Sequence, residues 1–274
     1  MNARIEPGIE DVQARTDERE LAIDNVGVAG LKHPIVVLDR KAERQRTVAE
    51  LSMSVTLPRH FKGTHMSRFI EVLNDHHDEV TMRTLPAILR ALKERLEADR
   101  ARVEVQFPYF VERVAPVSKA AALMDYKCTF VGEANGSGDR FVLSVEVPVT
   151  SLCPCSKAIS DYGAHNQRGY ITIDVESPAE DEHEHHLIWI EELIQIAEES
   201  SSAPVYPLLK REDERHVTMQ AYDNPVFVED MVRNVASRLK ADDRIGRFRV
   251  HAVNHESIHN HGAFAEIRWE RPRA

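Results

Sequence analysis

The chain of 274 residues contains only three cysteines. So few thiols cannot staple a fold of this length, which excludes a secreted disulfide scaffold. No apolar run is long enough to span a bilayer, and the opening stretch "MNARIEPGIEDVQARTDERELAIDNVG" has no apolar core of the kind a signal peptide needs. A reduced, cytoplasmic protein with no membrane partner is the expectation. An excess of basic residues is missing too. The formal net charge is -10, whereas phosphate backbones require a basic face, so no nucleic-acid partner is expected. A phosphorylated small molecule needs only a local cluster of Lys and Arg and stays open. The hydrophobic share of 42% and charged share of 29% are those of an ordinary globular protein. The length allows one large domain or two fused halves.

Periodicity gives the organisation. Residues 1–33 are polar and mixed in charge, and read as an arm that is mobile or docks on something else. Order is expected to begin near "HPIVVLDR". "TVAELSMSVTLP" (Thr47 to Pro58) alternates apolar and polar residues as a half-buried strand does. "THMSRFIEVLND" has helical spacing, with Thr64 or Ser67 available as a cap, and "TLPAILRALKERLEAD" carries Leu89, Leu92 and Leu96 on one stripe. "RVEVQFPYFVER" and "AALMDYKCTFVGEA" return to strand periodicity around a loop with Pro116. The order then repeats. "DRFVLSVEVPVT" and "RGYITIDVES" read as strands, "HHLIWIEELIQIAEES" and "PVFVEDMVRNVASRLKAD" as helices, "GRFRVHAVNHES" and "AFAEIRWER" as strands. Strand, strand, helix, helix, strand, strand written twice is an α+β pattern of two similar modules, each an antiparallel sheet with helices on one face.

The residues with chemical potential sit at strand ends. "VPVTSLCPCSKAISDYGAHNQRG" places Cys153, Cys155 and His165 in one turn-rich stretch, with Pro148 and Pro154 keeping its backbone off a regular ladder. A disulfide, a metal and a nucleophile are the candidate uses. Reducing surroundings and a single intervening residue count against the disulfide. Sulfur and imidazole nitrogen suit zinc or ferrous iron. Cys128, inside the strand "YKCTFV", reads instead as a small buried apolar residue. "NHESIHNHG" holds His255, Glu256, His259 and His261, either as metal ligands or as a solvated hairpin loop. "DEHEHHLIWIEEL" (Asp181 to Leu193) is richer in histidine but precedes an amphipathic helix, where solvated acidic residues favour the positive end of the dipole. "LLKREDERHVT" reads as a solvated charged loop, and Glu229 in "YDNPVFVED" as a helix-end carboxylate or a ligand anchor.

Together, "KGTHMSRF" (Lys62 to Phe69), "SLCPCSKAISDYGAHNQRG", "SSAPVYPLLKREDE", "NPVFVED" and "ESIHNHGAFA" resemble the type IB GTP cyclohydrolases. The resemblance runs from residue 62 to residue 265 and implies the tunnelling fold, with two tandem ββααββ modules in one chain. The corresponding division is an N-terminal arm over 1–33, a first module over 34–138 and a second over 139–274. It further implies a homotetramer with sites at subunit contacts. The implied reaction converts GTP and water to 7,8-dihydroneopterin triphosphate and formate, the entry to folate-type pterins. By the same resemblance one divalent ion (zinc, manganese or iron) is held by Cys153, His165, Glu214 and His259. Such an ion lowers the pKa of water and stabilises charge on the opening purine. Cys153, Glu256 and His259 are the implied catalytic residues, with Glu256 as proton carrier. Glu229 is the implied guanine anchor, ahead of Glu199, because one buried carboxylate can accept from both N–H groups of the guanine edge and rejects adenine. Lys62, His65, Arg68 and Lys210, with Lys157, Arg168 and Arg211, form the pool that meets the triphosphate. Cys155 has no assigned role.

Two rivals share these residues. A nitrile reductase of the same fold would use a lone activated thiol and no metal, which the surplus of histidine beside Glu256 disfavours. A non-catalytic, metal-stabilised pterin- or purine-binding oligomer would bind an ion without releasing formate.

Overall fold

The computed structural model describes residues 11–13, 15–76, 80–81, 83–136, 138–177 and 187–272. The expected solvated run Asp181–His186 lies outside them. In chain order the elements begin β1 (Ile23–Asp39), β2 (Glu43–Leu57), α1 (Met66–Asp75), α2 (Leu85–Leu96), β3 (Ala101–Val114) and β4 (Ala121–Asn135). There follow β5 (Gly138–Leu152), α3 (Pro154–Ile159), β6 (Asn166–Glu176), α4 (Ile190–Glu199), β7 (Ala203–Pro204), α5 (Arg211–Asp223), α6 (Val228–Ala241), β8 (Arg247–His255) and β9 (Ala263–Glu270). Hydrogen-bonded strands run in the order β1-β2-β3-β4-β5-β6-β8-β9, with β7 paired to β5. No helix among the described residues is long and apolar enough to cross a membrane.

Two compact units emerge from the contacts. One gathers Met1–Val37, Val48–Val105 and Val131–Arg140; the other gathers Leu38–Thr47, Gln106–Phe130 and Phe141–Ala274. Residues 38–47 and 106–130, expected in the first module, therefore cluster with the second unit. Strands as long as β1 to β4 carry their two ends into different clusters.

In the first unit the alternation of "AELSMSVTL" buries Ala49, Leu51, Met53, Val55 and Leu57, while β3 adds Ala101, Val103 and Val105. The stripe of α2 buries Ile88, Leu89, Leu92 and Leu96 as its spacing requires, each leucine contributing roughly 1.5–3 kcal/mol. Helix α1 buries Phe69, Val72 and Leu73, and its N-cap position is His65, not Thr64 or Ser67. The segment expected as an arm up to residue 33 is ordered earlier, since β1 starts at Ile23. Its first residues are mostly exposed, so backbone pairing with β2 rather than side-chain burial makes the strand. Before it, Thr16 bridges Phe61, and Lys62 and Gly63 donate their backbone N–H groups to Arg15 and Gln13. Among the described residues of the expected arm, 13 and 15–17 lie against the 60–63 segment of the same chain.

In the second unit β5, β6, β8 and β9 pair antiparallel, and Val145, Val147, Val149, Ile171, Ile173, Val250 and Ala252 are buried. Helix α6 covers β8 and β9 through Met231, Val232, Val235 and Leu239, with α4 packed beside it. The stretch 211–223, expected as a charged loop, is helix α5. Its organiser is Asp213, which is fully buried. The Asp213 carboxylate accepts from the N–H groups of Val117 and Ser118, the Ser118 hydroxyl and the Lys210 N–H. Burial works against this charge, but the Ser118 hydroxyl and the three backbone donors outweigh it and hold the carboxyl far below the usual carboxylate range.

Candidate active site

Strand β5 ends at Leu152, and Cys153 takes an extended backbone at the N-cap of α3. The stretch expected as irregular thus contains a short helix, with Pro154 at the first helical position, where its missing N–H costs nothing. The Cys153 sulfur accepts from the Ser156 N–H at 3.4 Å. The chain folds back so that the Cys153 N–H donates to the His165 carbonyl at 3.1 Å and the His165 N–H donates to the Ser156 hydroxyl at 2.9 Å. Strand β6 then begins with Asn166 opposite Leu152. Cys153 and His165 stand side by side, both half-buried, while Cys155 is exposed and Cys128 is fully buried. All three thiols are free. Burial, with the Glu191 charge added, pushes the Cys128 thiol far up, as suits an inert core residue.

The third participant comes from the β8–β9 connection. His255 closes β8 opposite Arg168, and its ring meets Tyr170 edge-on at 5.5 Å. The strand stops there, so the face shared by His255, Ser257 and His259 on an extended chain does not form. Ser257 Oγ instead lies 3.4 Å from His165 Nδ1. His259 and His261 stack on each other at 5.0 Å, both exposed, and Glu256 is half-buried.

Glu214 lies in the first turn of α5 and Glu229 in the first turn of α6, both exposed. The start of α6 is tied to the end of β5, because the Val226 N–H donates to the Leu152 carbonyl and the Ser151 hydroxyl to the Val226 carbonyl, each at 3.1 Å. Glu229 is therefore held on the helix start fastened to the strand that leads into Cys153. Glu199 is committed elsewhere: it accepts from Gln195 at 2.7 Å and pairs with Arg238, and these two hold its carboxyl below the usual range. Among the described residues no three His, Cys, Asp or Glu side chains of the single chain converge as a metal-binding group. Cys153 and His165 come together; Glu214 and His259 do not join them here. The donor pair fits a borderline-soft cation in kind, a thiol and an imidazole on residues joined by a backbone bond, and Gln167 engages Nδ1 of the ring at 2.9 Å, leaving Nε2 for a ligand.

Of the basic pool, Lys210 and Arg211 are exposed at the start of α5 and Arg168 is exposed on β6. Lys157 is engaged, donating to the Tyr222 carbonyl at 2.5 Å with its ammonium 4.3 Å from the centre of the Tyr222 ring. In the first unit His65 Nε2 lies 3.1 Å from Asp11 Oδ2, and Arg68 donates to the Arg95 carbonyl at 2.8 Å. Lys62 is exposed near Asp17, whose carboxyl is lowered to about 2, chiefly by Arg19 and to a lesser degree by Lys62.

Four buried residues outside the candidate site set shape the second unit: Asp213, expected on a solvated loop, with Ser151, Gln167 and Asn254. Their sequence signal was slight. Asp213 lies three residues after the N-cap Lys210, where an acidic side chain can reach back. Gln167 and Asn254 are amides in otherwise alternating strands.

Sheet order and helix placement define a tunnelling-fold protein. Solved uricases share the fold: that of Arthrobacter globiformis superposes with a TM-score of 0.55 at 12% identity, covering 92% of this chain and 95% of its own. One from Bacillus fastidious gives 0.58 at 9% identity, with 90% and 93% covered. The chain belongs to the type I GTP cyclohydrolase folE2 family, whose match extends over residues 9–265. Among its curated relatives, GTP cyclohydrolase FolE2 of Nitrosococcus oceani is 53% identical over 267 residues, 97% of each chain. That of Nitrosomonas eutropha is 49% identical over 272 residues, 99% of each, and that of Syntrophotalea carbinolica 52% over 259 residues, 94% of each.

Proposed function

We infer that the protein is a GTP cyclohydrolase that converts GTP and water to 7,8-dihydroneopterin triphosphate and formate, in the cytoplasm, as the first step toward folate-type pterins. The observation that supports this reading is the juxtaposition of Cys153 and His165 at the end of the β5–β6 pair, in a chain of this family. Cys153, His165, Glu214 and His259 would hold one divalent ion: zinc, manganese or iron. When bound, such an ion supplies Lewis-acid chemistry toward water and the purine.

The protein's own groups do the rest. Glu229 accepts the ring N–H and the exocyclic amine of guanine, and adenine would leave that charge unpaired. Glu256 relays a proton from the attacking water toward the imidazole nitrogen of the purine as the ring opens, and returns one when the new ring closes. Lys62, His65, Arg68 and Lys210 oppose the triphosphate charge. A homotetramer of tandem modules, 34–138 and 139–274, completes each site at subunit contacts.

The test is incubation of the reduced protein with GTP and a panel of divalent ions, following formate and the absorbance of the oxidised pterin. Formate released in step with pterin is the expected result. No product with any ion contradicts the assignment.

A further inference from the structure

One buried polar side chain beside the candidate site takes no part in the chemistry above. Gln167 is 8% exposed, and it sits between His165 and Ser151. Its Oε1 is 2.9 Å from His165 Nδ1 and its Nε2 is 3.3 Å from Ser151 Oγ. The buried Ser151 oxygen also receives Asn254 Nδ2 at 3.1 Å and faces the Val226 carbonyl at 3.1 Å. Strands β5, β6 and β8 and the lead-in to α6 therefore meet on one hydroxyl.

With the Asn254 amide nitrogen toward Ser151, counting donors gives the direction of the remaining bonds. A hydroxyl has one proton and two lone pairs. The Val226 carbonyl can only accept, so the Ser151 proton goes there. Both lone pairs are then left for N–H donors, one from Asn254 and one from Gln167. Gln167 must turn its amide nitrogen to Ser151 and its oxygen to His165. An oxygen acceptor at that position requires the imidazole proton on Nδ1, which leaves the lone pair of the neutral ring on Nε2. Ser257 Oγ, 3.4 Å from the same nitrogen, can share that proton without changing its position. Reversing the Gln167 amide would set two acceptors against one Ser151 proton and add a second unpaired buried group beside Asn254 Oδ1, which already has no partner. The neighbouring backbone keeps the arrangement rigid: a Cβ at Gly169 would stand 2.6 Å from Asn254 Oδ1, so only glycine leaves the Asn254 amide where it is.

We propose that Gln167 is a positioning residue, which Ser151 orients so that it holds the His165 proton on Nδ1 and presents Nε2 to a divalent cation. This rests on reading His165 as a metal ligand. Ligand imidazoles are generally oriented by an acceptor on their second nitrogen, and losing that acceptor typically weakens metal binding about 10- to 100-fold. Here the acceptor is an amide whose own orientation is set by a serine on the neighbouring strand.

The experiment measures zinc affinity by chelator competition for the wild type, Gln167→Leu, Gln167→Glu and His165→Ala, with the melting temperature of each metal-free protein alongside. Gln167→Leu is expected to bind zinc about 10- to 100-fold more weakly. Gln167→Glu, which keeps an oxygen facing Nδ1, is expected to bind within a few-fold of wild type even though it loses its N–H bond to Ser151. A purely structural role would instead lower the two melting temperatures and leave affinity unrescued by glutamate, which overturns the proposal. Zinc bound by the wild type, lost in His165→Ala and unchanged in Gln167→Leu also overturns it, while leaving the metal reading intact. No zinc bound by the wild type, or equal binding by His165→Ala, removes the metal reading and the proposal with it. Should Gln167→Leu fail to fold, the nitrogen-15 spectrum of wild-type His165 at pH 8 decides: a proton on Nδ1 supports the proposal and a proton on Nε2 contradicts it.

Discussion

Residues 153–165 and residues 256–262 join neighbouring strands at the same end of one sheet, yet they are held very differently. In the first, Cys153 caps a helix, its backbone bonds to His165, and the His165 ring engages a buried amide. In the second, residues 257–262 are exposed, and His259 contacts His261. Both carry a proposed metal ligand. The comparison teaches that the fold of the single chain brings Cys153 and His165 together, whereas His259 lies on an exposed connection and Glu214 on a helix anchored by Asp213, neither joined to that pair.

The largest expected effect separates thiols. Cys153→Ala should drop formate release by at least about a thousandfold, as removal of a member of a catalytic unit does. Cys128→Ala should keep activity and cost about 1 kcal/mol in denaturant unfolding. Equal losses of activity at both would break the distinction between a core thiol and a ligand.

The histidines give the next contrast. His165→Ala and His259→Ala should both abolish turnover, but only the first should lower stability, by about 1–3 kcal/mol, because the Gln167 oxygen loses its buried partner. His259→Ala should stay within about 0.5 kcal/mol of wild type in the metal-free protein. Thermal unfolding of the two variants without metal checks this. Gly169→Ala should resemble His165→Ala in stability, losing about 1–3 kcal/mol, since the added methyl presses on the Asn254 amide.

The smallest expected effect is a pH dependence at the start of α5. The Asp213 carboxyl is held below its free value of 3.8. Its stabilising contribution is therefore full above that value and fades only as pH falls toward the lower folded value. Asp213→Asn should unfold at lower denaturant than wild type by a constant margin from pH 8 to about pH 4, and the margin should shrink below that. A margin that shrinks already at pH 6 would assign the anchoring to another group.

Much of this was readable from local pattern. Alternation in "TVAELSMSVTLP" and the leucine stripe of α2 foretold their elements, because a half-buried strand and an amphipathic helix each impose their own period. The Cys153–His165 meeting followed from a Pro- and Gly-bearing connection between strands that pair. What stayed hidden depends on distant partners. Asp213 looked like one acid among several because its donors, Val117 and Ser118, come from a loop 96 and 95 positions away. Helix α5 is mostly exposed, so it has no strong apolar stripe to reveal it. Gln167 and Asn254 looked like ordinary strand amides until Ser151, from a third strand, gave them a shared partner. The early start of β1 has no composition signal because its first residues are held through the backbone.

X-ray absorption at the zinc edge of the loaded, reduced protein would bear hardest on this picture. One sulfur scatterer at about 2.3 Å together with lighter nitrogen and oxygen neighbours is expected, and the sulfur should vanish in Cys153→Ala but persist in Cys128→Ala. A shell of nitrogen and oxygen alone in the wild type, or sulfur that survives loss of Cys153, would contradict it.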